Sequence, residues 1–329
     1  MLRAGVVGAG SMGGNHARVY AALTGGCELA GVYDLDPERA RAVARRWGGR
    51  AYATLEELLD AVDVVSIASP TSCHFEHVRD ALARGVHVLV EKPAAATAGE
   101  ALRLLELART APGRPVVQVG HIEEFNPAVA EARKLLADEE LIGISAQRLS
   151  PFDGRIQDVD VVQDLMLHDV HVALSLVGAQ PTAVRAAGRS VHGAGTDYAA
   201  ATLVFGDATV VSLSASRVTQ EKVRTLSATT RRAYVTVDYL QRTIAASRWT
   251  NLSVDVGDGR AYRQESVVER VFVPIEEPLV AEIAAFLGCV RTGTPPRVTL
   301  ETAIGCLQVV DRIRHEIARD ARVEAAVAA

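Results

Sequence analysis

Ala4-Gly5-Val6-Val7-Gly8-Ala9-Gly10-Ser11-Met12-Gly13 is an apolar run that breaks into the pattern G-x-G-x-x-G. The run reads as a strand, and Asn15 to Leu23 behind it reads as a helix. Asp34 ends the next apolar run, Glu28 to Tyr33, about twenty residues further on, the spacing of a dinucleotide fingerprint. Gly8 permits a tight turn, Gly10 lets the backbone approach a pyrophosphate, and Gly13 lets helix pack on strand. The helix start, with Ser11 and Met12, offers N–H groups and a positive dipole end to the anion. Asp34 is expected to accept both ribose hydroxyls and to repel a 2′-phosphate, which favours NAD. Arg39 lies near enough to keep NADP as the alternative. Taken alone, the loop also fits a structural glycine turn.

Working outward, short apolar runs alternate with helical segments as far as Gly120. Further strands are expected over 62–67, 86–90 and 115–119, and helices over 37–47, 55–59, 74–83 and 98–110. Runs of four to six apolar residues separated by helices indicate a parallel sheet covered on both faces. Beyond Gly120 the pattern changes. After helices near 127–137 and 161–176, the chain from Thr182 to about Phe272 is mostly strand-like. Gly206-Asp207 is a hairpin signal between 199–205 and 209–214, and 225–230 with 233–237 forms a second candidate pair. The fold class expected is therefore α/β: a doubly wound parallel Rossmann sheet over 1–120, then an α+β domain over 121–329. That second domain carries a largely antiparallel, open sheet. Closing helices near 278–291 and 299–320 are candidates to pack back on the first domain.

Composition narrows the function classes. Hydrophobic residues make up 49% of 329, enough for two cores, and a net charge of -5 gives no reason to expect nucleic acid or an anionic membrane as partner. No apolar stretch reaches the roughly 18 residues of a membrane helix. Leu2 to Val7 runs straight into the glycine loop, so no signal peptide is expected. Cys27, Cys73, Cys289 and Cys306 have neither metal nor redox spacing, which points to a reduced, cytoplasmic setting.

Among thirty-five basic residues only Lys92, Lys134 and Lys222 are lysine. Lys92 stands at the end of an apolar strand, in Glu91-Lys92-Pro93, where open α/β sheets bind ligands. A compact ammonium there can hold an oxygen on which negative charge develops. Asp164, His168 and His171 recur at i, i+4 and i+7 of a helical stretch, along one face. Three readings fit that spacing: a histidine acid or base poised by a carboxylate, a metal site, or satisfied structural groups. The cofactor loop favours the first, since a nicotinamide enzyme acting on an alcohol needs a group for the hydroxyl proton. No metal is expected.

Taken together, Val7-Gly8-Ala9-Gly10, Ala68-Ser69-Pro70-Thr71-Ser72-Cys73-His74, Glu91-Lys92-Pro93 and Asp164-x-x-x-His168 resemble the glucose–fructose oxidoreductase/inositol dehydrogenase (Gfo/Idh/MocA) family over essentially the whole chain. The resemblance implies that Lys92 and His168 carry catalysis, that Asp164 assists, and that the loop Ser69, Pro70, Thr71 before His74 lines the nicotinamide side. It also implies a homodimer or homotetramer formed through the second domain's sheet. Residues 121–129, His121-Ile122-Glu123-Glu124-Phe125-Asn126-Pro127-Ala128-Val129, with Pro151-Phe152 and Asp164-Leu165-x-x-His168-Asp169, are similar to the UDP-N-acetylglucosamine 3-dehydrogenase-like branch. That implies hydride transfer between NAD and a secondary alcohol of a sugar or polyol, with the C3 hydroxyl of a UDP-sugar first among them. The alternatives are an NADP-dependent reductase of another carbonyl and a non-catalytic nucleotide sensor. The family helix often reads D-x-G-x-H-x-x-D; here Met166 holds the glycine place and His171 the last aspartate place.

Several residues keep two readings. Glu91 is either a nicotinamide-ribose contact or an internal partner of Lys92. His74 either helps start its helix or touches the cofactor. His121, Glu123 and His171 are candidates to line the substrate site, with structural roles equally open. Arg148 and Arg155 are candidates for a diphosphate, because guanidinium pairs well with phosphate oxygens.

Overall fold

The computed structural model describes residues 1–329 apart from 24, 153–158, 194, 207–208, 257–258 and 329, and leaves out the side chains of 250–265 and 321–328. The chain divides into two compact units, one of Met1–Phe125 with Glu276–Leu307, the other of Asn126–Ile275 with Gln308–Ala329.

The first unit alternates strand and helix: β1 (Leu2–Val7), α1 (Ser11–Ala22), β2 (Cys27–Tyr33), α2 (Pro37–Trp47), β3 (Arg50–Ala51), α3 (Leu55–Ala61), β4 (Val64–Ile67), α4 (His74–Ala83), β5 (His87–Glu91), α5 (Ala98–Thr110) and β6 (Val117–Gly120). All neighbouring strands run parallel in the order β3-β2-β1-β4-β5-β6. This is the doubly wound order whose direction reverses between β1 and β4, and ligands bind at that reversal. β4 and β6 are buried at every position, as expected of strands covered on both faces. Local chemistry sets the helix starts. Asp36 accepts the Glu38 amide ahead of Pro37, and Thr54 and Thr97 accept the Glu57 and Glu100 amides at 3.2 Å each.

Two details depart from the sequence reading. Helix α1 starts at Ser11, four residues before Asn15, because close packing on β1 overrides the poor helix propensity of Gly13 and Gly14. The two-residue β3 is too short to leave a periodic signal.

The second unit holds α6 (Pro127–Leu136), β7 (Leu141–Leu149), a π-helical turn over Val162–Met166 that runs into α7 (Leu167–Val177), and then β8 (Ala183–Arg189), β9 (Tyr198–Phe205), β10 (Thr209–Ser216), β11 (Val223–Thr230), β12 (Ala233–Asp238), β13 (Thr243–Val256) and β14 (Gly259–Val271). These strands form one sheet in the order β14-β13-β12-β11-β7-β10-β9-β8. Every pairing is antiparallel except β7 with β10, which is parallel. The two expected hairpins, β9/β10 and β11/β12, both pair in register; Asp207 of the first turn lies outside the described residues. Burial alternates along β9, β11 and β12, so one face packs inward and the other is open.

Helix α8 (Pro278–Thr292) belongs to the first unit, where Leu279, Ile283, Phe286 and Leu287 join the core built by Ala4, Val6, Tyr20 and Val32. The last helix, α9 (Leu300–Ala328), gives residues 300–307 to the first unit and the remainder to the second.

Candidate active site

The glycine loop closes on itself by contact. Gly8 has φ +94°, and a Cβ there would lie 2.7 Å from the Ala68 carbonyl oxygen and from the Ser69 nitrogen. A Cβ on Gly13 would lie 1.7 Å from the Gly8 carbonyl oxygen, so the first turn of α1 rests directly on the end of β1. Gly10 differs: a Cβ there would meet nothing within 4 Å, and Gly10 caps α1 with no side-chain hydrogen bond. The space above Gly10 and the uncapped amides of α1 form a cradle for a pyrophosphate, open where a side chain would fill it. Asp34, half-buried at the end of β2, accepts the Ala9 amide at 2.6 Å and the Asp36 amide at 2.8 Å. The residues of the fingerprint are thus in one place and fit a dinucleotide.

The second and third motifs meet at the same edge of the sheet. His74 is buried, and its Nε2 lies 2.9 Å from the Ser69 carbonyl while its Nδ1 lies 2.8 Å from the Pro93 carbonyl. The ring therefore ties the loop after β4 to the corner after β5. Burial pushes its pKa below the usual imidazole value, so a single N–H serves one carbonyl at a time. The enclosed ring lies between these two loops and does not cap α4, whose start has no side-chain hydrogen bond. Ser69 Oγ is 2.9 Å from His77 Nδ1, and Pro70 and Thr71 enter the short turn that precedes α4. Lys92 is half-buried directly after β5, and the Lys92–Pro93 bond is cis.

Glu91 has a partner the sequence reading did not contain. Its Oε1 lies 2.9 Å from His16 Nε2, and its Oε2 lies close to the position a Cβ would take on Gly120. His16 Nδ1 is 2.9 Å from Ser66 Oγ, which in turn is 2.8 Å from the Tyr20 hydroxyl. His16 was passed over because a lone histidine on a helix facing the core carries no spacing signal. The available hints were a polar Ser66 inside an apolar strand and Glu282 inside the apolar stripe of α8.

In the second unit Asp164 and His168 are half-buried, four residues apart, at the join between the π turn and α7. π turns concentrate at functional sites, since the extra residue re-aims side chains. Asp160 starts this turn by accepting the Val162 and Gln163 amides at 3.0 Å each. It is braced from outside by Arg314, while Arg217 binds the Val159 carbonyl and Asp197. The predicted single α-helix is corrected to a π turn followed by an α-helix. His171 is buried, as are Met166 and Asp169.

Arg148 departs most from expectation. Its side chain is 4% exposed, and Nε and Nη2 pair with the two carboxylate oxygens of Asp169 at 2.9 and 2.8 Å. A guanidinium spent on a buried carboxylate is not presented to a diphosphate, so the substrate reading of Arg148 is withdrawn. Arg155 lies outside the described residues. His121 is buried after β6, and Glu123 is half-buried in the turn Ile122–Phe125.

Residues 2–121 match the family model for the oxidoreductase family with an NAD-binding Rossmann fold, and residues 151–236 match the GFO/IDH/MocA C-terminal domain. The chain belongs to the GFO/IDH/MocA oxidoreductase family. Among GFO/IDH/MocA relatives, UDP-N-acetylglucosamine 3-dehydrogenase of Acidithiobacillus ferrooxidans is 39% identical over 243 residues, 74% of this chain and 76% of that one. Inositol 2-dehydrogenase of Acidothermus cellulolyticus is 34% identical over 204 residues, 60% of each chain. A solved structure of the Acidithiobacillus ferrooxidans enzyme has a TM-score of 0.86 at 34% identity, covering 96% of this chain and 97% of that one. The family resemblance read from the motifs is therefore correct, and NAD is the cofactor of the first unit. No helix among the described residues is long and apolar enough to cross a membrane.

Proposed function

We propose that this chain oxidises the C3 hydroxyl of a UDP-linked sugar with NAD. The observation that carries the chemistry is Lys92, half-buried at the carboxyl end of β5, on the same sheet edge as the glycine loop and the Ser69 loop. The substrate class rests on the likeness to UDP-N-acetylglucosamine 3-dehydrogenase. Bound NAD supplies the hydride acceptor. The Lys92 ammonium donates a hydrogen bond to the reacting oxygen and stabilises it as negative charge develops. His168 takes the hydroxyl proton, and Asp164 orients His168 or a neighbouring hydroxyl. Gly8, Gly10, Ser11, Met12, Gly13 and Asp34 hold the dinucleotide, while Ser69, Pro70 and Thr71 bound its nicotinamide end.

The test is NADH formation by the purified protein against UDP-sugars, free sugars and inositols. Turnover confined to UDP-sugars is the expected result. Turnover confined to inositols overturns the substrate class, and NAD binding with no turnover on any of them supports a sensor instead. Lys92→Ala and His168→Ala are each expected to lose turnover by at least about a hundredfold while NAD still binds. Chelation is expected to change nothing.

Self-association through the open face of the eight-stranded sheet completes the proposal. A groove of about 670 Å³ on that face, lined by Gln147, Thr225, Tyr234, Thr236 and Arg270 among others, supports it. Light scattering on the purified protein should read a dimer or tetramer, and a Tyr234→Glu variant a smaller species. A cytoplasmic setting is proposed as well, since none of the four cysteines is in a disulfide.

A further inference from the structure

A buried line of hydrogen bonds runs from the cofactor helix to the strand end that carries Lys92. Burial holds the Tyr20 hydroxyl above the usual phenol range, so it stays a donor to Ser66. Ser66 can then donate to His16 Nδ1, and His16 Nε2–H to Glu91. In that direction every donor has an acceptor, with His16 Nδ1 accepting and Nε2–H donating. The line joins three elements: α1, which opens on Gly10; β4; and β5, which ends at Glu91.

Such a network is an unusual choice on stability grounds alone. His16 and Ser66 are 0% exposed and Tyr20 is 1% exposed. Replacing both partners of a buried hydrogen bond by apolar groups of the same shape is often nearly neutral or stabilising. Glu282 of α8 makes the choice stranger. It is 0% exposed, and neither carboxyl oxygen has a hydrogen-bond partner among the described residues. Burial first, and the nearby Glu91 second, hold its carboxyl well above the usual carboxylate range. A neutral Glu282 adds no second negative charge beside Glu91.

The geometry accounts for this arrangement through what stands next to it. Glu91 and Pro93 flank Lys92, and each faces a buried histidine: Glu91 Oε1 lies against His16 Nε2, and the Pro93 carbonyl lies 2.8 Å from His74 Nδ1, which donates to it in one of its two tautomers. We propose that His16 and His74 are positioning residues for Lys92: acting through its two neighbours, they fix its direction relative to the helix that holds the dinucleotide. This rests on the reading of Lys92 above. His16 does not touch substrate. Its effect passes through the Glu91 side chain to the peptide that Glu91 shares with Lys92. A displacement of about 1 Å at a reacting group can lower turnover by about a hundredfold.

The experiment compares His16→Gln, Glu91→Gln and the paired His16→Leu/Glu91→Leu variant with the native enzyme, and repeats Glu91→Gln in a Lys92→Met background. The expected result is a kcat lower by roughly a hundredfold with an unchanged KM for NAD. In the Lys92→Met background the same substitution should change the residual rate no further. The paired leucine variant replaces both polar partners at once and is expected to fold, so a single variant that fails to fold leaves the question open to the other measurements. Native kcat in all three variants overturns the proposal, as does an equal loss with and without Lys92. Full turnover by Lys92→Met overturns the reading of Lys92 itself. An inactive Lys92→Met with fully active His16 and Glu91 variants overturns the positioning proposal alone.

Discussion

The carboxylate of Asp34 accepts the Ala9 amide at 2.6 Å and so binds the end of β2 to the glycine loop. Its other oxygen takes the Asp36 amide. A carboxylate has about four lone-pair sites, and two go to the backbone here, which leaves capacity for ribose hydroxyls. Asp34→Ala removes both the loop tie and that capacity. The KM for NAD should rise at least tenfold, in line with about 1.5–3 kcal/mol for a hydrogen bond to a charged group. Discrimination against NADP should narrow, because the anion facing a 2′-phosphate is gone. Steady-state kinetics with both cofactors measures it, and an undiminished preference for NAD would remove Asp34 from the ribose site.

Gly10 and Gly13 separate binding from folding. A Cβ at Gly10 enters open space, so Gly10→Ala should melt like the native protein and bind NAD more weakly. A Cβ at Gly13 would drive into the Gly8 carbonyl at 1.7 Å, a backbone contact that cannot swing aside. Gly13→Ala should therefore lose stability by about 1–3 kcal/mol or more. Thermal melts with and without NAD distinguish the two. Equal melting temperatures for both variants would contradict the close packing of α1 on β1.

How much of this was legible follows from the range of each signal. Gly8 to Gly13 with Asp34 is a local pattern with one geometric solution, so the Rossmann half and its loop could be read directly. The turn pair Gly206-Asp207 likewise marked the hairpin β9/β10, and the strand-like runs 225–230 and 233–237 marked β11/β12. The parallel pairing of β7 with β10 could not be read, because it depends on contacts distant in sequence. The same limit hid the partners of single polar residues. Arg148 and Asp169 are 21 residues apart in sequence, and nothing local marks them as a pair. His16 and Glu91 are 75 apart, and each alone looks like many other residues. The π turn before His168 was missed because a stretch of mixed polar and apolar residues fits either helical winding.

Arg148→Ala tests the corrected role of that residue. Removing one partner of a buried pair leaves the other charge uncompensated, here Asp169 at 2% side-chain exposure. A loss of about 3–5 kcal/mol is expected in chemical denaturation. Replacing both partners with apolar residues should restore most of it. If Arg148→Ala kept native stability and instead raised the KM for a UDP-sugar, the guanidinium would belong to the substrate after all.

Glu282→Gln isolates the buried acid on α8. In the unfolded chain this carboxyl ionises in the ordinary range near about 4.3. In the fold, burial and the neighbouring Glu91 hold it well above that. Between the two values the native state carries one more proton than the unfolded state, so stability falls as pH rises through the window. Below the window both states are protonated and the contribution is constant. Glutamine has no proton to lose, so the difference between native enzyme and variant cancels the titrating groups that do not interact with this carboxyl. The melting temperature of the native enzyme should fall more steeply than that of Glu282→Gln as pH rises above about 5. The Tyr20 hydroxyl and Glu91, the titrating groups that interact with this carboxyl, are common to both proteins. Parallel slopes would mean that Glu282 ionises in the fold as it does in water, and the neutral acid beside Glu91 would have to be abandoned.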